Sequence, residues 1–438
     1  MHIFLATVGT RGDVQPFVAL GKALLQAGHQ VTVCTSERFE SFIRKHGLGY
    51  GYMSNDLLDL MDSQAGKQAM EETVGVFGFV KSTIKLLKKA KAINRALIHG
   101  SWNAANEAQP DLIIYHPKML SGVHLAEKLQ VPVMMGFYLP LVIPTREMPA
   151  AGLPHLKLGG LYNRLTYALV HKGFTTYNGV VEEFRKEQLG LPRFPKSSGV
   201  LKTADGTPIP VLHAFSPSLI PPPSDWPAHA HTTGFWFLEQ EHDWQPPEDL
   251  VSFLEAGPPP VYVGFGSISG KNPGKTSRIV VDAIQEAGVR AILATGWGGL
   301  EAGKLPDTMY KLEKAPHDWL FPRMAAVVHH GGAGTTAAGL RAGRPTIICP
   351  FFGDQPFWGK TVHSLGVGAK PIPQKKLTVQ KLAAALREVT SSETMRQKAQ
   401  ELGKKIQAED GVKKAVEIIN HYAKTNDKHQ TLNTEPET

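Results

Sequence analysis

The thirty residues from His329 to Trp358, HHGGAGTTAAGLRAGRPTIICPFFGDQPFW, constrain this chain of 438 residues more than any other stretch. The apolar run Ala325–Val328 before them has the length and character of a short buried strand, and the Ala- and Leu-rich run Thr335–Arg341 has those of a helix. Gly331, Gly332 and Gly334 fall between the two. A strand, a glycine turn and a helix start expose free backbone N–H groups and the positive end of the helix dipole, which together suit a diphosphate. Thr335 and Thr336 add hydroxyl donors, and His329 or His330 adds an imidazole N–H. The same residues also fit a plain strand-to-helix turn that needs glycine for positive φ. The loop is neither a Walker A motif nor G-x-G-x-x-G.

A second strand–turn–helix opens the chain. His2–Val8 reads as a strand, Gly9–Asp13 as a turn, Val14–Ala27 as a helix ended by Gly28, and Gln30–Cys34 as the next strand. Strand signals at Leu112–Tyr115 and Val133–Phe137 continue a parallel α/β sheet. Prolines cluster between Pro217 and Pro260, and the α/β alternation resumes with Val261–Phe265 and the turn Gly266–Ser267. The expected fold class is therefore α/β, with two Rossmann-like, doubly wound parallel-sheet domains. They cover residues 1–215 and 261–405 and are joined by a Pro-rich linker over 216–260. Residues 406–425 are expected to form a helix packing back on the first domain, and 426–438 a disordered tail. Ligands of such sheets sit outside the carboxyl ends of the strands. Asp13 lies at such an end, where it fits either a helix N-cap or a carboxylate facing a ligand.

Composition excludes several other classes. Hydrophobic residues make up 42% and charged residues 20% of the chain, the proportions of a globular protein. The net charge of +8 is dispersed and accompanies no nucleic-acid motif, so no nucleic-acid partner is expected. The run from Phe79 to His99 is a local exception. It holds Lys81, Lys85, Lys88, Lys89, Lys91 and Arg95 with no acidic residue, and reads either as a solvated helix face or as a basic amphipathic helix for transient membrane-surface contact. Met1-His2 leads directly into a strand without a secretory pattern, and Val131–Pro144 is too short and too proline-broken to span a bilayer. A cytoplasmic protein, with room for peripheral membrane association, is expected. Cys34 and Cys349 form neither a metal spacing nor a disulfide framework and are expected to be reduced core residues.

The segment His329–Trp358, with Val362–Pro373 after it, closely resembles the donor-binding signature of inverting glycosyltransferases of the two-domain GT-B fold, in particular the sterol 3-beta-glucosyltransferase branch. Gly9–Val33, GTRGDVQPFVALGKALLQAGHQVTV, resembles the opening of the same branch about three hundred residues upstream. Residues 51–210 carry no matching motif. The resemblance implies two domains facing each other across a cleft, the first for the acceptor and the second for a UDP-sugar. It implies Asp13 as the general base, Ser267, His330, Gly332, Ala333, Gly334 and Thr335 at the donor diphosphate, and Asp354 and Gln355 at the sugar. Ala315 and His317 fall where relatives hold the nucleobase. Lys314 stands in place of the tryptophan that plant members stack on it, and Trp297 could serve instead. Neither a metal nor a cofactor is implied, and no D-x-D pair is present to hold a cation.

The expected function is transfer of a hexose, glucose first, from a UDP-sugar to a hydrophobic alcohol, a sterol first. A polyketide, terpenoid or hydroxy-lipid acceptor remains open. So does a non-catalytic lipid- or nucleotide-binding role, against which Asp13 beside an intact donor block argues. An epimerase would need further acid–base groups. A nicotinamide enzyme would need the third glycine that Gly9-Thr10-Arg11-Gly12 lacks.

Overall fold

A computed structural model describes residues 1–63, 66, 78–239, 244–266, 273–295 and 305–432, with backbone only at 78–88, 273 and 426–432. The chain divides into two compact units, one made of Met1–Ser63, Val80–Leu238 and the residues from Glu409 onward, the other of Glu239–Ala408. Each unit is built on one parallel sheet.

The first unit holds seven strands: β1 (His2–Ala6), β2 (Gln30–Ser36), β3 (Gly49–Met53), β4 (Leu112–Tyr115), β5 (Val133–Phe137), β6 (Val211–His213) and β7 (Ala230–Thr232). Their order is β3-β2-β1-β4-β5-β6-β7, and every pairing is parallel. The central strands β4 and β5 are buried throughout, which is why they read as continuous apolar runs rather than alternating ones. The helix Arg11–Gln26 buries Val14, Phe17, Val18, Gly21 and Leu24 on one face. It begins three residues before the expected Val14, because Thr10 rather than Asp13 is the N-cap and Asp13 sits in the first turn. Ala415, Val416 and Ile419 of the helix Gly411–Leu432 join the same core as Ile3, Phe17 and Leu20. That helix runs on to Leu432, past the Asn426 at which the polar composition suggests a disordered tail.

The second unit holds β8 (Val261–Gly264), β9 (Ala291–Ala294), β10 (Met309–Leu312), β11 (Ala326–His329) and β12 (Thr346–Ile348) in the order β10-β9-β8-β11-β12, again all parallel. Its core gathers Val263, Phe265, Leu293, Val328 and Ile347 against Leu382 and Leu386 of the helix Val379–Ser391. The proline-rich segment 216–260 is not wholly extended, since it contains β7 and the helix Glu248–Glu255. β7 is a three-residue edge strand without proline, so the prolines around it cost the sheet no hydrogen bond. Among the described residues no helix is long and apolar enough to cross a membrane.

Candidate active site

Three adjacent strands of the first sheet deliver one cluster at their carboxyl ends. Asp13 follows β1, His116 and Lys118 follow β4, and Tyr138 follows β5. Asp13 is only 4% exposed, yet both carboxylate oxygens are satisfied. The Thr10 backbone N–H donates to Oδ2 at 2.8 Å and the Thr10 hydroxyl at 3.2 Å. The Lys118 ammonium donates to Oδ1 at 2.6 Å and the Tyr138 hydroxyl at 2.9 Å. Burial alone pushes a carboxyl upward, but the Lys118 charge and the hydrogen bonds from Lys118 and Tyr138 outweigh it and hold Asp13 below the usual carboxylate range. The group is a carboxylate at neutral pH.

Gly9 makes this geometry possible. Its φ of +135° lies in the region that favours glycine, and a Cβ there would fall 2.2 Å from Asp13 Oδ2. His116 completes the cluster as a neutral ring. The Lys118 backbone N–H donates to its Nδ1 at 3.1 Å, so the ring proton resides on Nε2, which lies 3.9 Å from Asp13 Oδ1 and has no hydrogen-bond partner among the described residues. Burial, reinforced by the Lys118 charge, pushes His116 down to about 3. It therefore adds no competing positive charge at neutral pH.

The second unit carries the glycine turn between β11 and the helix Ala333–Arg341. Gly332 is the N-cap, and the first bond into the helix runs from the Thr336 N–H to the Gly332 carbonyl at 2.9 Å. The N–H groups of Ala333, Gly334 and Thr335 thus belong to the unbonded first turn. Gly331, with φ of +95°, packs so closely on Ile348 that a Cβ would come within 2.6 Å of its Cγ2. His330 stands beside this turn, its Nε2 2.7 Å from where a Gly332 Cβ would lie and its Cε1 3.1 Å from where one on Gly266 would lie. Its buried Nδ1 has no hydrogen-bond partner among the described residues. Burial and the nearby His317 push His330 down to about 4, so the ring is neutral at pH 7 and offers one N–H. His329 faces the other way, fully buried, with its Nδ1 accepting the Gly331 N–H at 2.9 Å.

The remaining candidates divide. Asp354 is the N-cap of the helix Gln355–Ser364, and its Oδ2 accepts from Trp358 Nε1 at 2.9 Å. Gln355 is buried and spends its Oε1 on the Phe351 and Phe352 N–H groups at 2.7 and 3.3 Å, so its amide N–H₂ is the group left for a ligand. His317 stacks on Phe321 with ring centroids 4.2 Å apart, and Ala315 packs on the core nearby. Ser267 and Trp297 lie outside the described residues. Cys34 and Cys349 are both buried and free, and burial pushes the Cys349 thiol up to about 12. Among the described residues no group of three or more His, Cys, Asp or Glu is placed to hold a metal ion. Sequence reasoning missed His116, Lys118 and Tyr138, although their positions just past β4 and β5 are where the strand-end rule places ligands.

The chain matches the glycosyltransferase family 28 N-terminal domain over residues 3–147 and the erythromycin biosynthesis protein CIII-like C-terminal domain over residues 281–421. It is 39% identical to the sterol 3-beta-glucosyltransferase of Emericella nidulans over 96% of its own length and 30% of that protein's. Against the sterol 3-beta-glucosyltransferase of Pichia angusta it is 40% identical over 95% of this chain and 33% of that one. Over nearly its whole length the chain is thus similar to glycosyltransferases. Solved GT-B structures agree on the fold. The calicheamicin glycosyltransferase CalG4 superposes with a TM-score of 0.67 at 18% identity, covering 96% of this chain and 97% of that one. The glycosyltransferase VinC in complex with dTDP gives a TM-score of 0.65 at 19% identity, covering 97% and 100%. This GT-B chain spans about a third of the length of the fungal relatives it matches.

Proposed function

We propose that the protein transfers a hexose, glucose by preference, from a UDP-sugar to the hydroxyl of a hydrophobic acceptor, a sterol by preference, with inversion at the sugar carbon. The observation that carries this reading is Asp13: a carboxylate buried at the ends of three strands and kept charged by its neighbours, in a chain similar along nearly its whole length to sterol 3-beta-glucosyltransferases.

In this reading the acceptor hydroxyl gives its proton to the Asp13 carboxylate as its oxygen bonds to the anomeric carbon. The bond from that carbon to the diphosphate oxygen breaks, and UDP leaves with the electron pair. General-base help of this kind contributes on the order of a hundredfold to ten-thousandfold in rate. The growing charge on the diphosphate is met by the N–H groups of Ala333, Gly334 and Thr335, the helix dipole and the His330 N–H, so no metal is needed. Asp354 and the Gln355 amide would bind sugar hydroxyls, with Ser267 at the diphosphate and Trp297, Ala315 and His317 near the base. The reading places the enzyme in the cytoplasm, with transient contact to a membrane holding the acceptor.

The test is mass spectrometry of the purified protein incubated with UDP-glucose and a panel of sterols, terpenoids, polyketides and hydroxy-lipids. A hexose-shifted sterol is the expected product. A hexose on another class would move the acceptor, and UDP-glucose binding without any product would replace the enzyme with a binding protein.

A further inference from the structure

The helix Gly159–Phe174 in the first unit is oriented against its own composition. Its inward face holds the buried polar residues Asn163 and Thr166 together with Tyr167. Asn163 Nδ2 donates to the Arg146 carbonyl at 2.7 Å, and Thr166 Oγ1 accepts the Ala150 N–H at 2.9 Å, so polar bonds fix which side faces in. Leucines are left outside. Leu158, Leu161, Leu165 and Leu169 are 66%, 85%, 66% and 61% exposed, and the last three fall at i, i+4 and i+8 on one stripe. Leu156, in the loop before the helix, is also exposed. Single exposed leucines need no explanation, but a contiguous apolar stripe on a rigidly seated helix marks a surface that something covers.

Charge identifies the cover. Lys157, Arg164 and Lys172 are exposed beside and at the end of the stripe. No Asp or Glu occurs from residue 148 to residue 181, and the whole chain carries +8. Asp225, a carboxylate that Arg164 reaches weakly, is already hydrogen-bonded by the Thr145 hydroxyl and the Arg146 N–H. An apolar stripe flanked by cations is the pattern of a helix lying in the interface of an anionic bilayer. The long helix Gly78–Ala108, the other basic candidate, differs in its described part. Ile93, Leu97 and Ile98 are buried there and Arg95 is paired with Glu183 at 2.6 Å, leaving Lys89 and Lys91 exposed.

We infer that the Leu158–Leu169 stripe, with Lys157, Arg164 and Lys172, docks the protein on the surface of an anionic phospholipid bilayer. This holds whichever alcohol the enzyme glycosylates.

Cosedimentation of the full chain with phosphatidylcholine vesicles, with and without phosphatidylglycerol, tests it. The expected result is salt-sensitive binding to the anionic vesicles. The combined Leu161→Ser, Leu165→Ser and Leu169→Ser variant should bind at least tenfold more weakly. Lys157→Glu, Arg164→Glu and Lys172→Glu together should erase the preference for anionic lipid, while Lys89→Glu with Lys91→Glu should leave it unchanged. The inference fails if the wild-type chain ignores vesicles, if the leucine variant binds as well as wild type, or if sedimentation velocity shows a dimer that only the leucine variant dissociates, which would give the stripe to a second copy. Transfer to a detergent-dispersed acceptor should be equal in wild type and leucine variant. Absence of transfer from both would count against the proposed reaction and leave the vesicle result standing.

Discussion

Around Asp13, a buried charge is answered from within the protein by an ammonium, two hydroxyls and a backbone N–H. Around His330, the first-turn backbone N–H groups of a helix have no hydrogen-bond acceptor among the described residues, and the buried His330 Nδ1 is likewise unpaired among them. On the proposed roles, the difference follows from what each site would hold. A base keeps its charge between turnovers, so its counter-charges are permanent parts of the fold. A diphosphate brings its own charge, so donors are best left unspent, at a cost of about 1–3 kcal/mol for each unpaired buried group. Under the proposed reading, stability given up in the second unit is available as ligand affinity, whereas the first unit gives up basicity for a fixed ionised state.

The largest effect expected from breaking the first site is that of Asp13→Asn, which should cut turnover about a hundredfold or more in steady-state kinetics. Near-normal turnover would remove Asp13 as the base. Next comes Gly9→Ala, which leaves the carboxylate in the sequence but drives a methyl onto Oδ2 and imposes a φ that alanine resists. A loss of about tenfold in kcat/KM, roughly 1.4 kcal/mol, is expected, and an unchanged value would show that the Oδ2 position is irrelevant. The smallest effect is that of Lys118→Met. Without the ammonium the Asp13 carboxyl rises from its depressed value. Because the proposed base works as the carboxylate, activity should be lost as pH falls through that value, so the acid limb of the kcat/KM profile should move to higher pH with little change at alkaline pH. An unmoved limb would mean that Lys118 does not set the charge of Asp13.

The strand, glycine turn and helix start of the second unit were readable in the sequence because everything they need is local: an apolar strand, three glycines and a helix start within a dozen residues. Asp13 was readable for the same reason. Its partners were not, since Lys118 and Tyr138 lie 105 and 125 residues away and reach it only through the parallel order β1-β4-β5. Asp354 and Gln355 stood out as polar residues in a matched block, but only the structure shows Asp354 bonded to Trp358 and the Gln355 carbonyl to the loop before it. The spacing of Leu161, Leu165 and Leu169 is one the sequence analysis leaves unread, and taken alone it points the wrong way. A four-residue leucine spacing signals the core face of a helix, yet side-chain hydrogen bonds from Asn163 and Thr166 turn that face outward. The prolines of 216–260 likewise concealed β7.

The most direct test of the contrast is calorimetric titration of UDP into wild type, Asp13→Asn and His330→Ala. Asp13→Asn should bind UDP as wild type does, and His330→Ala should bind it clearly more weakly, because only the second removes a donor from the cradle. Equal affinity in all three would make His330 structural, and weakened binding in Asp13→Asn would contradict the assignment of base and cradle to separate units of the chain.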